Sequence, residues 1–227
     1  MSLPLSTLIG AGLSVTEVWA KASFIVKFIV LVMLFMGLAS IYVSIERWVT
    51  FRKARNASQQ LGSELSEAFS KDDLSAALSA CEKEEYKQSY LGNVLRPGLQ
   101  EVQGDLDTNS HAAAMRAMER QSIQEEASLK RGMAILATTG STAPFVGLVG
   151  TVFGIIHTFE AFGDGGAELL GIIAEIGEAL YATAVGIAVA IVGVWLYNFF
   201  NSKIDAISRD ISISVQEFND WCEKKLA

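Results

Sequence analysis

The chain has 227 residues, 51% of them hydrophobic and only 19% charged, with a mean hydropathy of +0.33. A formal charge of −7 and a pI of about 4.9 argue against a nucleic-acid binder, which needs a basic face to displace counterions. The apolar residues are gathered into a few long uncharged runs, which marks a membrane protein rather than one or two soluble domains.

Residues 1–20 form an outward-facing N-terminal segment with room for a short interfacial helix. No Lys or Arg precedes Lys21, so no cleavable signal peptide is expected. The first transmembrane helix is expected over 21–46. Its uncharged core, Phe28 to Ile45, has 18 residues, roughly 27 Å of helix against a hydrocarbon core of similar thickness. Residues 47–131 read as a cytoplasmic helical region, with turns at Arg96-Pro97-Gly98 and Gln103-Gly104-Asp105. Asn109 or Ser110 is the expected N-cap of a helix through Met115, Met118, Ile123 and Leu129 that runs unbroken into the membrane. The second transmembrane helix is assigned to 132–159, a short periplasmic link to 160–178 and the third transmembrane helix to 179–202. Residues 203–227 continue as a cytoplasmic C-terminal helix, whose stripe of Ile204, Ile207, Ile211, Val215, Phe218 and Cys222 needs a partner.

Basic residues orient the spans. Arg47, Arg52, Lys53 and Arg55 follow the first, Lys130 and Arg131 precede the second, and Lys203 and Arg209 follow the third. The link from Glu160 to Glu178 carries five acidic residues and no basic one. These place the N-terminus and the link outside and the C-terminus inside; Lys27, at the outer end of the first span, can snorkel to the headgroups. Trp48, Trp195 and Tyr197 fall at cytoplasmic ends as an aromatic belt. Cys81 and Cys222 then lie in a reducing compartment as free thiols, and their separation suits neither a metal site nor a disulfide framework.

The second span is unusual in its small residues. Gly140, Gly147 and Gly154 recur every seven positions, and so do Pro144, Thr151 and Thr158. In the third span Ala179, Thr183, Gly186, Ala190 and Gly193 form a matching stripe. Close helix packing explains the glycines, because lipid supplies no hydrophobic drive and small residues let backbones approach; lining of a pore is the other reading. By helix rise Thr151 lies roughly 12 Å below Phe159 and Thr183 roughly 7 Å below Glu178, so the two fall at similar depth. A membrane Thr ordinarily bonds a carbonyl of its own helix, but a level pair on two small-residue stripes makes a polar lining able to hold water or an ion. Glu178, at the outer lip of the third span, either faces a cavity or charged partner or simply ends the helix. Glu160 and Glu175 read as solvated, and His157 as structural.

Enzyme signatures are missing. Gly147 to Thr151 lacks the Lys of a phosphate-binding loop, no HExxH, CxxC or GxSxG is present, and the chain has only two His. No metal and no cofactor is expected.

At this point the spans resemble a known family. The run Ser141 to His157 (STAPFVGLVGTVFGIIH) and the run Glu178 to Gly186 (EALYATAVG) resemble the signature of the MotA/TolQ/ExbB proton-channel family. Lys21 to Ile29 (KASFIVKFI) is more like TolQ than ExbB, and the three-span layout fits TolQ and ExbB, since MotA has four. The resemblance implies an all-α homopentamer whose second and third helices line a central pore. It implies a dimeric single-span partner of the TolR/ExbD type carrying an intramembrane Asp, and a third, TonB- or TolA-like transducer. Thr151, Thr183 and Glu178 fall on the family's polar pore positions. The implied function is a stator-like subunit of the bacterial inner membrane that couples proton motive force to work on the envelope, with rotation of one subunit set inside the other. Glu160, at a position usually apolar in TolQ and ExbB, and the link Gly163-Asp164-Gly165-Gly166 depart from the pattern. They keep open the stator of a surface-gliding motor, with a stand-alone channel as the remaining alternative.

Overall fold

The computed structural model describes residues 23–104, 106–163 and 169–226, with backbone alone between 161 and 174. The N-terminal segment 1–20, Lys21, Asp105 and most of the glycine-rich link lie outside the described residues. Every element among those described is helical: α1 (Phe24–Ser70), α2 (Leu74–Glu82), a 3-10 turn (Glu84–Tyr86), α3 (Tyr90–Val102), α4 (Thr108–Leu129), α5 (Met133–Gly163) and α6 (Leu169–Leu226). Three of them, α1, α5 and α6, are long and apolar enough to cross a membrane. With 47 and 58 residues, α1 and α6 are each far longer than the roughly 20 residues a bilayer requires. Neither contains a proline, so nothing in them interrupts the hydrogen-bond ladder.

The chain divides into two compact units, one holding residues up to 41 with 135–195, the other 42–134 with 196–227. In the apolar unit, α1 turns Val26, Ile29, Val30 and Met33 inward, where they pack with Ala182, Val146 and Val185. Phe24, Phe28, Leu31, Phe35 and Leu38, spaced three or four apart, stand exposed on the opposite face. Such an inverted surface is stable only where lipid replaces water.

In the polar unit, Ile204, Ile207, Ile211, Phe218 and Cys222 of α6 are buried, so the apolar stripe does find cover. Tyr90 Oη donates to Asp210 at 3.1 Å, and Phe218 packs on Phe69 with ring centroids 6.2 Å apart. α1 ends where Asp72 adopts a left-handed conformation (φ 58°), with Asp73 N–H bonding to Ala68 O at 3.0 Å in a Schellman-type closure. The Asp72 carboxylate accepts from Trp221 Nε1 at 3.1 Å and pairs with Lys225 at 2.9 Å; these contacts hold it below the usual carboxylate range. Buried Arg47 chelates Glu46 through two 2.5 Å bonds and donates to Ser128 O at 3.4 Å, a cation at the carbonyl end of α4.

Three expectations for this region are overturned. Arg96-Pro97-Gly98 is the middle of α3 and no turn. An interior proline costs roughly 3 kcal/mol, but α3 buries Val94, Leu95, Leu99 and Val102, each contributing about 1.5–3 kcal/mol. Gly98 lies directly against the Met118 side chain of α4, so a Cβ there would collide with it. Second, the N-cap of α4 is Asp107, whose carboxylate accepts from Ser110 N–H at 2.6 Å while Ser110 Oγ accepts from Asp107 N–H at 2.9 Å. A carboxylate one turn earlier outcompetes Asn109 or Ser110 because it also meets the positive end of the helix. Third, α4 does not run unbroken into α5. The chain turns at Lys130–Gly132, with Gly132 at φ 79°.

Gly132→Ala is expected to cost about 1–2 kcal/mol, because an L residue is strained in that conformation and its Cβ would lie 3.0 Å from Val43 Cγ1. Gly104→Ala, with nothing within 4 Å of the new Cβ, should stay within about 0.5 kcal/mol of the parent. Denaturant unfolding in detergent distinguishes the two. Burial pushes the Cys81 thiol up to about 12 and the Cys222 thiol up to about 11. The thiolate is the reactive form, so both should label poorly at pH 8 in the folded chain and faster as pH rises, Cys222 first, whereas unfolding should expose both at once. Rapid iodoacetamide labelling of the native chain at pH 8 would contradict this burial.

Candidate functional site in the membrane helices

The apolar unit is built on a seam between α5 and α6. A Cβ on Gly147 would stand 3.0 Å from Thr183 Cα and 3.1 Å from Ala182 O, and one on Gly186 would stand 2.7 Å from Ala143 O. Gly140 abuts the Gly193–Val194 backbone, Gly154 meets Ala179, and Gly150 meets Ala182 and Ile29. Ala190 is buried and Pro144 half-buried within α5. Gly140, Gly147, Gly154 and Gly186 therefore sit where one backbone presses against the other, which only hydrogen at Cα permits.

That proximity sets the threonines. Thr183 Oγ1 donates to Gly147 O, on the facing helix, at 2.9 Å and lies 3.5 Å from Thr151 Oγ1. Thr151 donates to Leu148 O at 2.7 Å, and Thr158 to Gly154 O at 2.9 Å, both within their own helix. The structure thus brings Thr151 and Thr183 together, and Thr183 makes the bond that crosses between helices. Thr151 and Thr158 are buried.

Glu178 is elsewhere. It lies five residues before Thr183 on α6, roughly 7.5 Å along the axis, and its Oε1 accepts from Ser23 N–H at 2.9 Å. Ser23 Oγ in turn accepts from Val26 N–H at 3.3 Å. The buried carboxylate therefore closes the N-terminus of α1, where unpaired N–H groups and the helix dipole favour a negative charge. Its partner is a third helix, a choice that neither reading of Glu178 from the sequence included. Glu160 is exposed, with an oxygen 4.0 Å from His157 Nδ1.

One polar pair was missed from the sequence. Ser40 Oγ donates to Thr139 Oγ1 at 3.0 Å, both buried, tying α1 to α5. The depth count that aligned Thr151 with Thr183 could have found it, since Ser40 and Thr139 lie six and eight residues from the charged ends at Glu46 and Arg131. Among the described residues no buried side-chain polar atom lacks a hydrogen-bond partner, and no cluster of three or more His, Cys, Asp or Glu is arranged to hold a metal. Chemically the site offers hydroxyls that donate or accept, a bare carbonyl edge at Gly147, and a carboxylate one helical turn and more above.

Comparison with known proteins agrees with this architecture. The model of the MotA/TolQ/ExbB proton channel family matches residues 86–213. The Tol-Pal system protein TolQ of Haemophilus influenzae is 28% identical over 215 residues, 92% of this chain and 93% of that one. TolQ of Pseudomonas aeruginosa is 28% identical over 221 residues, 93% and 94% of the two chains. The biopolymer transport protein ExbB of Xanthomonas campestris pv. campestris is 40% identical over 104 residues, 42% of this chain and 41% of that protein. With three membrane-length helices and a family model matching over half its length, the chain is a multi-pass membrane protein that belongs to the MotA/TolQ/ExbB proton channel family.

Proposed function

We propose that this chain is the channel-forming subunit of a stator-like complex of the bacterial inner membrane that couples proton motive force to work on the cell envelope, as the resemblance to TolQ and ExbB implies. The observation that carries the reading is the Thr183 hydroxyl, bonded across helices to Gly147 O at 2.9 Å and 3.5 Å from Thr151 Oγ1. A hydroxyl so placed can exchange its carbonyl for water or a carboxylic acid at almost no cost in geometry.

The uncharged runs around Thr151 and Thr183 hold no carboxylate, so a proton crossing here needs an acid from another subunit. A dimeric single-span partner of the TolR/ExbD type, threaded through a homopentamer of this chain, supplies one as an intramembrane Asp. Protonation neutralises that Asp and removes most of the cost of moving it past apolar walls; release on the far side restores its charge and pins it. Cyclic protonation then drives one subunit set relative to the other, and a TonB- or TolA-like third component passes the motion outward. Glu178 anchors the outer end of the pathway and holds α1 against it. The N-terminus and the 160–178 link face the periplasm in this arrangement.

Thr183→Val keeps the shape and removes the hydroxyl. It should leave assembly intact and reduce proton flux in proteoliposomes with the partner by about 10-fold or more, the scale of a 1.4 kcal/mol change in a barrier. Glu178→Gln preserves an acceptor for Ser23 and removes the charge, so a flux loss in it reports on electrostatics rather than on capping. Wild-type flux in both variants would sink the site assignment. Native mass spectrometry should give five copies of the 24.5 kDa chain, gaining two partner chains on co-expression; a monomer or dimer that ignores the partner leaves no pore to line.

A further inference from the structure

A cleft in the polar unit carries a different chemistry from the threonine site. It has a volume of about 540 Å³ and lies between α1 and α6. Trp48 stacks on Phe199 with centroids 5.7 Å apart and planes 12° from parallel, and Phe51 meets Phe200 edge-on at 5.9 Å. One turn further along each helix stand the cations, Arg52 and Arg55 on α1 and Lys203 on α6, with the amides of Asn56 and Gln59 beyond them. The lining contains no carboxylate. Among the described residues none of the three cations forms an ion pair, in contrast to Arg47 on the same helix, which is held by Glu46.

The order of these groups along the helices is the informative feature. Trp48 is the third residue after the first uncharged run ends at Ile45, and Phe199 and Phe200 close the third such run just before Lys203. From the apolar end outward the cleft therefore presents aromatic rings, then positive charge, then neutral amides. A phospholipid presents the same sequence in complement: acyl chain and glycerol, then an anionic phosphodiester, then a hydroxylated headgroup. Trp and Tyr favour the membrane–water boundary, and basic residues beside it attract anionic lipid.

We propose that this cleft is a binding site for the headgroup of one anionic phospholipid, with the phosphodiester held by Arg52, Arg55 and Lys203 and the glycerol and upper acyl chain resting on Trp48 and Phe199. The occupant bridges the first and last helices at the boundary and neutralises three like charges that otherwise repel one another. The site does not depend on proton conduction, so its test stands or falls separately from the channel reading.

The full chain, delipidated in mild detergent, is incubated with equimolar palmitoyl-oleoyl phosphatidylglycerol and palmitoyl-oleoyl phosphatidylcholine, and retained lipid is counted by native mass spectrometry. The wild type should keep phosphatidylglycerol in preference to phosphatidylcholine. Arg52→Gln/Arg55→Gln/Lys203→Gln should reduce that preference roughly 100-fold, at about tenfold or less per removed charge, while Arg52→Lys/Arg55→Lys retains it. Equal retention of the two lipids, or an undiminished preference in a folded triple variant, overturns the proposal. Displacement by millimolar inorganic phosphate assigns a soluble anion instead, and a photo-crosslinker at Gln59 that captures a second copy to the exclusion of lipid assigns a subunit contact; each overturns it too. Should the triple variant not fold, the wild-type competition between the two lipids and phosphate still decides.

Discussion

Contact between the α5 and α6 backbones, at Gly147 against Ala182–Thr183 and at Gly186 against Ala143, is the constraint on which the membrane part of this protein depends. In a bilayer, apolar side chains gain little by leaving lipid for protein, so helices associate through van der Waals fit and hydrogen bonds. A seam free of side-chain bulk maximises both. It brings the Gly147 carbonyl within reach of a hydroxyl on the other helix, and a short β-branched side chain such as Thr183 is enough to span the gap. With bulkier residues the same threonines would bond only within their own helices.

Around that seam, polar groups are spent at helix ends and crossings. Glu178 closes the start of α1, and Ser40 with Thr139 ties α1 to α5. In the polar unit, Asp73 and Asp107 cap α2 and α4, and Arg47 meets the carbonyl end of α4. The recurring logic is that a helix terminus leaves backbone groups unpaired, and a side chain from a distant part of the chain that satisfies them also fixes the packing of two elements. Glu178 therefore has two consequences at once. It orders α1, and it keeps a carboxylate at the lip of the third apolar run, where charge is costly and is retained when something needs it.

Much of this was legible in the sequence. The three apolar runs, the helical stripe from Ile204 to Cys222 and the facing small-residue stripes follow from composition and period, because bilayer thickness and the 3.6-residue turn leave few alternatives. The level pairing of Thr151 and Thr183 followed from counting helix rise alone. The errors fell on boundaries. Pro97 and Gly98 read as a turn, yet they lie inside α3, because burial of four apolar side chains and the close passage of Met118 outweigh a local preference. Asp107 was passed over as the cap of α4 in favour of residues two and three positions later, and the break at Gly132 was read as continuous helix.

The sequence by itself determined the class of protein, its membrane spans and the residues that would line the closest helix contact, since these depend on hydropathy and side-chain size, which are properties of single positions. Only the tertiary structure decided partners: that Thr183 bonds Gly147, that Glu178 serves α1, that Ser40 meets Thr139, and that three unpaired cations share one cleft with a stacked Trp48 and Phe199. The reason is geometric. A hydrogen bond or a cleft depends on the distance between atoms far apart in the chain, and that distance is set by how helices pack, which no local pattern encodes.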